Sequence, residues 1–239
     1  MSKADKPASL EGVSAAERTL SVLTAFRSGD ASLSLVELAE RTGLVKSTIM
    51  RLAISLERFG LLARGPDGTY RLDAECLRLG SAYQHSFKLA DRVVPALERL
   101  MLEIGETASF YVRHGDTRLC LFRVESQHAI RMHVQPGDTR PMDKAAIAEA
   151  LRRYEAGLQS ATLDEDLPLY TAGVTDPHTA SLAMPVFGMG GKLVGALAVS
   201  GPITRLTAEF AASKREPMRR AGLILSRSCG ANLPLQLKK

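Results

Sequence analysis

The segment Asp176-Pro177-His178-Thr179-Ala180-Ser181 brings an acid, an imidazole and a hydroxyl close together, the side-chain types of an activated serine. Hydrolytic triads are made by geometry and roles, not by closeness in sequence, and no G-x-S-x-G elbow accompanies this serine. The segment therefore reads as a loop in which His178 touches a ligand or caps the turn, and no enzyme is expected. The five histidines, at 85, 114, 128, 133 and 178, show no metal-ligand spacing, so neither a metal nor another cofactor is expected. Cys76, Cys120 and Cys229 are odd in number, far apart and without a C-x-x-C pair, which argues against a disulfide framework. Cys120 sits in an apolar stretch and reads as a small buried hydrophobe. A different chemistry gathers at Lys46, Ser47, Thr48, Met50, Arg51 and Arg58, where hydroxyls and basic groups share one stretch. Such a set suits phosphates and base edges.

The elements around that stretch predict how it is presented. Ser14-Ala15-Ala16-Glu17 and Ser34-Leu35-Val36-Glu37 both have the S-x-x-E form of a capping box. The first opens a helix expected to turn Leu20, Leu23 and Phe26 inward, with Gly29 beyond its end. The second opens a short helix with Leu35, Leu38 and Ala39 inward, closed by Gly43. A third helix is predicted from Lys46 or Ser47 to Phe59, with Ile49, Leu52, Ala53 and Leu56 as its apolar stripe. Its other face then carries Ser47, Thr48, Met50, Arg51 and Arg58. Pro66-Asp67-Gly68 predicts a hairpin joining 61–64 to 69–72, which places Arg64 and Arg71 on a wing. Together these make a winged helix-turn-helix. Arg51, one turn into the third helix, is the candidate for a guanine edge, and Arg64 and Arg71 for backbone phosphates or the minor groove. The alternative for Arg51 is a solvated helix face or an ion pair to Glu40 or Glu57.

Residues 73–104 read as helical with a break around 86–89: a linker helix from 74 to 85, then a longer one from 89 to 104. Pro95 is expected to kink the latter or mark a tight first turn. Leu77, Leu79, Tyr83, Leu89, Val93 and Leu97 offer more apolar surface than one small domain needs, which suggests homodimerisation. Beyond Thr107 the period changes to that of strands, at 108–112, 118–124 and 130–134. Strands at 183–187 and 193–200 flank Gly188-Met189-Gly190-Gly191, a hairpin signal. An amphipathic helix from 207 to 228 closes an α+β domain with an antiparallel sheet.

The chain has 239 residues, 45% apolar and 24% charged, an ordinary globular profile with room for two domains. No apolar run approaches the ~18–20 residues of a membrane helix, and the polar start lacks a signal core. A cytoplasmic protein with a disordered leader over 1–11 is expected. The net charge is +5, but residues 205–239 alone carry +6 while 73–204 carry −3. Bulk charge is therefore a weak argument for a polyanion partner, and the basic C-terminal helix reads as a solvated face. Asp164-Glu165-Asp166 predicts a loose surface loop.

Several blocks, in order, resemble the IclR family of bacterial transcriptional regulators: GVSAAERTLSVL, LSLVELAERTGLVKSTIMRLAISLERFGLL, GTYRL, GETASFYV, LFRVES and ASLAMPVFGMGGKLVGALAVSGP. The resemblance runs from about Gly12 to Ser228. It implies a winged helix-turn-helix domain (12–72), a linker helix (73–88) and a GAF-like effector and oligomerisation domain (89–239). It implies a homodimer or dimer of dimers on a palindromic DNA operator, repressing a catabolic operon in response to a small organic or aromatic acid, with no membrane partner. The effector pocket it implies is lined by Ala146, Ile147, Ser181, Ala198 and Ser200, with Ser181 and Ser200 as hydroxyl partners of a carboxylate or carbonyl. Strand alternation adds Tyr111, Cys120 and Phe122, and His178 is a further candidate contact. One block departs from the family pattern L-H-A-x-A-x-G-K: at 142–149, Ala148 stands for the glycine and Glu149 for the lysine. The segment between Ala150 and Ser181 is also short. An alternative is that the C-terminal domain is only an oligomerisation scaffold for a constitutive DNA binder.

Overall fold

A computed structural model describes residues 12–233 apart from 28, 87–88 and 161–162. The chain divides into two compact units between Tyr83 and Gln84. The expected leader at 1–11 and the centre of the expected helix break at 87–88 lie outside the described residues, as does the side chain of Tyr83.

The first unit contains α1 (Ser14–Thr24), α2 (Leu35–Thr42), α3 (Lys46–Arg58), a two-stranded antiparallel wing of β1 (Leu62–Arg64) and β2 (Tyr70–Leu72), and α4 (Ala74–Ser86) as far as Tyr83. Val22, Leu33, Leu38, Ile49, Ala53, Leu56, Leu62 and Tyr70 form its core. The capping box of α2 is complete: the Glu37 amide donates to Ser34 Oγ at 3.2 Å and the Ser34 amide donates to Glu37 Oε2 at 2.7 Å. The same motif at Ser14 forms no box. Ser14 is itself the first helical residue, and Val13 caps α1 without a side-chain bond. The inward face of α1 also differs from expectation, because Leu20 is exposed while Val22 and Ala25 are buried. Leu33 exchanges two backbone bonds of 2.7 Å with Tyr70, so the wing is tied to the chain entering α2. Arg41 on α2 donates to Asp30 Oδ2 at 2.5 Å and to the Ala25 carbonyl at 3.0 Å.

The second unit contains α5 (Ala90–Ile104), β3 (Thr107–His114), β4 (Thr117–Val124), β5 (Thr139–Pro141), α6 (Ala146–Arg153), β6 (Leu169–Ala172), β7 (Thr179–Phe187), β8 (Leu193–Pro202), α7 (Ala208–Ser213) and α8 (Arg215–Ser228). Its six strands form one antiparallel sheet in the order β5-β4-β3-β8-β7-β6. One face packs Phe110, Phe122, Leu182, Met184 and Leu197 against Val93, Leu97 and Leu100 of α5 and Met218 and Leu223 of α8. Gly222 permits close packing there, since a Cβ on it would lie 2.4 Å from Met184 Cγ. On the opposite face the small side chains of Ala183, Ala196 and Ala198 admit α6, whose Ala146, Ile147, Ala150 and Leu151 pack over them.

Several expectations need correction. Residues 130–134 form no strand; β5 lies at 139–141 instead, and β6 was not foreseen. The closing helix is two helices, broken at Lys214. Pro95 lies inside α5 near its start. Val93 and Leu97 are fully buried within this unit and so offer no surface to a second copy. Leu77 and Leu79 on α4 remain exposed, at 74% and 47%. The acidic segment at 164–166 is not loose. Arg153 pairs with Asp166 at 2.7 Å, Tyr154 donates to Asp164 at 2.6 Å, and Arg215 and Arg219 donate to the carbonyls of Asp164, Glu165, Leu167 and Pro168. The basic face of α8 is therefore engaged inside the fold; Arg220 likewise pairs with Glu103 at 2.5 Å.

Candidate functional site

Two surfaces, one in each unit, gather most of the candidate residues. In the first, α3 turns its apolar stripe into the core and leaves Lys46, Ser47, Met50, Arg51 and Arg58 exposed, with Thr48 half-buried beside them. Thr48 and Ile49 both donate to the Val45 carbonyl, so the two amides ahead of them at the helix start have no such partner. That end carries the partial positive charge of the helix dipole, which favours a phosphate. Arg64 and Arg71 are exposed on the wing, Arg64 lying 5.6 Å over the Tyr70 ring. Among the described residues Lys46, Arg51, Arg58, Arg64 and Arg71 form no ion pair, with Glu40, Glu57 or any other acid.

In the second unit a cavity of about 460 Å³ opens beside α6 on the small-residue face of the sheet. Its floor includes Tyr111, Ser181 and Ser200, and its walls Ala145 and Ile147 at the start of α6, the β6–β7 turn with Thr175 and His178, and residues 130–134. Ser181 and Ser200 are buried and directly opposite in the β7–β8 register. Ser181 Oγ lies 3.4 Å from Thr171 Oγ1, which accepts the Ala146 amide at 2.8 Å. The N-cap residue of α6, Ala145, supplies no side-chain bond, so Thr171 takes that place at the first amide of the helix.

Arginines hold the walls together. The buried Arg118 donates to Asp143 Oδ1 at 2.7 Å, to the Pro141 carbonyl at 2.8 Å and to Thr175 Oγ1 at 3.1 Å; Thr175 in turn donates to Asp143 Oδ2 at 2.6 Å. Burial pushes the Asp143 carboxyl up, but the bonds from Thr175, Arg118 and the Ala145 amide outweigh it and hold it below the usual carboxylate range. Residues 130–134 are strapped by guanidiniums: Arg123 donates to the Met132 carbonyl at 2.5 Å and Arg205 to the Ile130 carbonyl at 3.0 Å. Arg205 also clamps Glu106 through bonds of 2.6 and 2.9 Å. Glu106 is only 3% exposed, and a Cβ on Gly201 would sit 2.5 Å from its carboxylate. Burial drives both the Tyr111 phenol and the Cys120 thiol upward, the thiol to about 11, so both are neutral groups near pH 7.

The structure brings Tyr111, Ile147, His178, Ser181 and Ser200 to this cavity. Ala146, Ala198 and Cys120 lie in the packed layer next to it without lining it. Phe122 is on the other face, in the core with α5. A bulge explains that correction: Phe110 pairs with Phe122 and Tyr111 with Cys120, so Leu121 is an extra residue and alternation fails across it. Arg118, Arg140 and Thr175 were missed. Charged residues at 118 and 123 of an otherwise apolar strand were the available signal. His178 is exposed, its amide donating to Asp176, and among the described residues its ring forms no hydrogen bond with Ser181. Among those residues no three His, Cys, Asp or Glu side chains gather as a metal site, and no helix is long and apolar enough to cross a membrane.

Known proteins resemble both units of the chain. The curated HTH-type transcriptional regulator BhcR of Paracoccus denitrificans (strain Pd 1222) is 27% identical over 226 residues, covering 82% of this chain and 80% of BhcR. A solved IclR-type regulator from Silicibacter sp. TM1040 shares the fold with a TM-score of 0.78 at 23% identity, covering 94% of this chain and 100% of that one. An IclR homolog from Microbacterium hydrocarbonoxydans, solved with 4-hydroxybenzoate, has a TM-score of 0.71 at 18% identity, covering 90% and 99%. Residues 15–66 match the IclR helix-turn-helix domain model, and residues 81–177 match that of the bacterial transcriptional regulator IclR C-terminal domain. With both models matched in order over more than half its length, the chain belongs to the IclR family of DNA-binding transcriptional regulators and is not an enzyme.

Proposed function

We propose that this regulator binds a small organic or aromatic acid in the cavity beside α6, and that occupancy alters the affinity of α3 and the wing for operator DNA. The observation that carries the reading is the cavity's polar end. Two buried hydroxyls stand opposite each other on β7 and β8, near the start of α6, and Tyr111, Val134 and Ile147 add apolar surface to the walls. The 4-hydroxybenzoate complex of the Microbacterium homolog supports an acid of this class. On the DNA side, Lys46, Ser47 and Thr48 would hold phosphate, Met50 and Arg51 would face the bases, and Arg58, Arg64 and Arg71 would meet the backbone. The proposed regulator is a cytoplasmic homodimer or dimer of dimers on a palindromic operator, repressing a catabolic operon in keeping with the family resemblance. The proposed division is a DNA-binding domain at 12–72, a linker helix at 73–88 and an effector domain at 89–239.

Thermal unfolding against a panel of organic and aromatic acids tests the effector site. A ligand at ~100 times its Kd adds ~2.7 kcal/mol, a rise of a few degrees in Tm. A shift that disappears in Ser200→Ala supports the reading. A shift retained in that variant puts the ligand elsewhere, and silence across the panel favours a constitutive DNA binder with a scaffold domain.

A further inference from the structure

We infer that the effector is a diacid, one carboxylate meeting Ser181 and Ser200 and the other meeting Arg140; this rests on reading the cavity as the effector site. Arg118 on β4 and Arg140 on β5 are directly opposite in the register, and both line the cavity. Like charges facing each other across an antiparallel pair repel, so each calls for a counter-ion. Asp143 answers Arg118. Among the described residues no carboxylate answers Arg140, whose bond to the His133 carbonyl is long at 3.5 Å. Arg118 also keeps a buried Nε without a partner.

The other charged groups around the cavity do not fill that place. Arg131 is engaged by Glu125 at 2.6 Å. Asp176, the acidic side chain of the lining, accepts the His178 amide within the β6–β7 turn. One side of the cavity thus holds two guanidiniums against one carboxylate.

The two polar ends belong to different strands of the sheet. β8, which carries Ser200, lies three strand positions from β5 in the sheet order, with spacings of about 4.8 Å along the sheet. Tyr111, Val134 and Ile147 contribute apolar surface to the lining. A ligand that touches both ends is therefore elongated, with an apolar or aromatic spacer between its anions. The volume of about 460 Å³ accommodates such a skeleton.

The test compares matched probes, benzoate with terephthalate and hexanoate with adipate, by calorimetry or NMR at millimolar concentration on the full chain. Each diacid is expected to bind about tenfold more tightly than its monoacid, the scale of one charge-assisted contact. Arg140→Gln should weaken each diacid more than its monoacid, so that the advantage is lost, while Arg140→Lys keeps part of it; circular dichroism checks that both variants fold. Equal binding of diacid and monoacid, or an equal weakening of both in Arg140→Gln, overturns the inference. If monoacids still bind and lose affinity in Ser200→Ala, the effector-site reading survives that failure. If no probe binds, or Ser200→Ala weakens none, the effector-site reading falls and the diacid with it.

Discussion

The arginines of the two units are used in opposite ways. On α3 and the wing, Arg51, Arg58 and Arg71 project outward with no carboxylate partner among the described residues, although Glu40 and Glu57 belong to the same unit. In the second unit, Arg118, Arg123, Arg205, Arg215, Arg219 and Arg220 bind carbonyls or carboxylates of their own chain. The stretch with the greatest excess of positive charge, 205–239, is thus the one whose arginines serve the fold. Residues 1–72, with 10 Lys and Arg against 8 acids, leave the cations of α3 and the wing without an acidic partner among the described residues, while Arg41 is taken by Asp30. Net charge counts both kinds alike; only the partners separate them.

Substitutions can break this contrast, and the largest effect is expected at the buried end. Arg205→Ala strands the Glu106 carboxylate inside the sheet and frees the strap at Ile130. Loss of one partner from a buried pair should cost about 3 kcal/mol, read as a lowered urea midpoint. Arg51→Ala should do the reverse: operator affinity falls by about 2 kcal/mol while the urea midpoint stays put. Unchanged operator binding would remove α3 from the groove. The smallest effect concerns Asp143, the counter-charge of Arg118. Because its carboxyl is held below the usual range, the stability it contributes is present above that range and lost as pH falls through the lowered value. The stability gap between wild type and Asp143→Asn should therefore be flat from neutral pH down to the usual carboxylate range and close only in stronger acid. A gap that closes near neutral pH would mean that Asp143 is not held by Arg118 and Thr175.

The same contrast governs what could be read from the sequence. The stripe of Ile49, Leu52, Ala53 and Leu56 is local, and it alone determines which face of α3 is outward. Ser34 and Ser14 carry the same capping motif, yet only Ser34 forms the box. The difference is long-range: Leu33, just before Ser34, is pinned to Tyr70, whereas Val13 has no such strand partner. Ser181 and Ser200 follow from the family resemblance, and the short hairpin joining β7 and β8 keeps them opposite in register. Phe122 could not, because one extra residue in β4 reverses its face. Residues 130–134 have the alternation of a strand, but among the described residues none of their amides joins a backbone ladder; the chain is held by arginines from far along the sequence. Binding sites assembled by such distant donors leave only a faint local trace, such as the charges at 118 and 123.

That strap also determines how the cavity wall can yield. Strands in a ladder share their bonds, so an edge peels cooperatively and takes its register with it. The segment at 130–134 is instead fastened at separate points, by the guanidiniums of Arg205 and Arg123, each of which can exchange its carbonyl for water while the other holds. Loss of either bond frees the wall at one point and breaks no rung between β3, β4 and β8. In hydrogen exchange the amides of this segment would turn over fast and independently, whereas those of the sheet beneath them would open only with the domain as a whole.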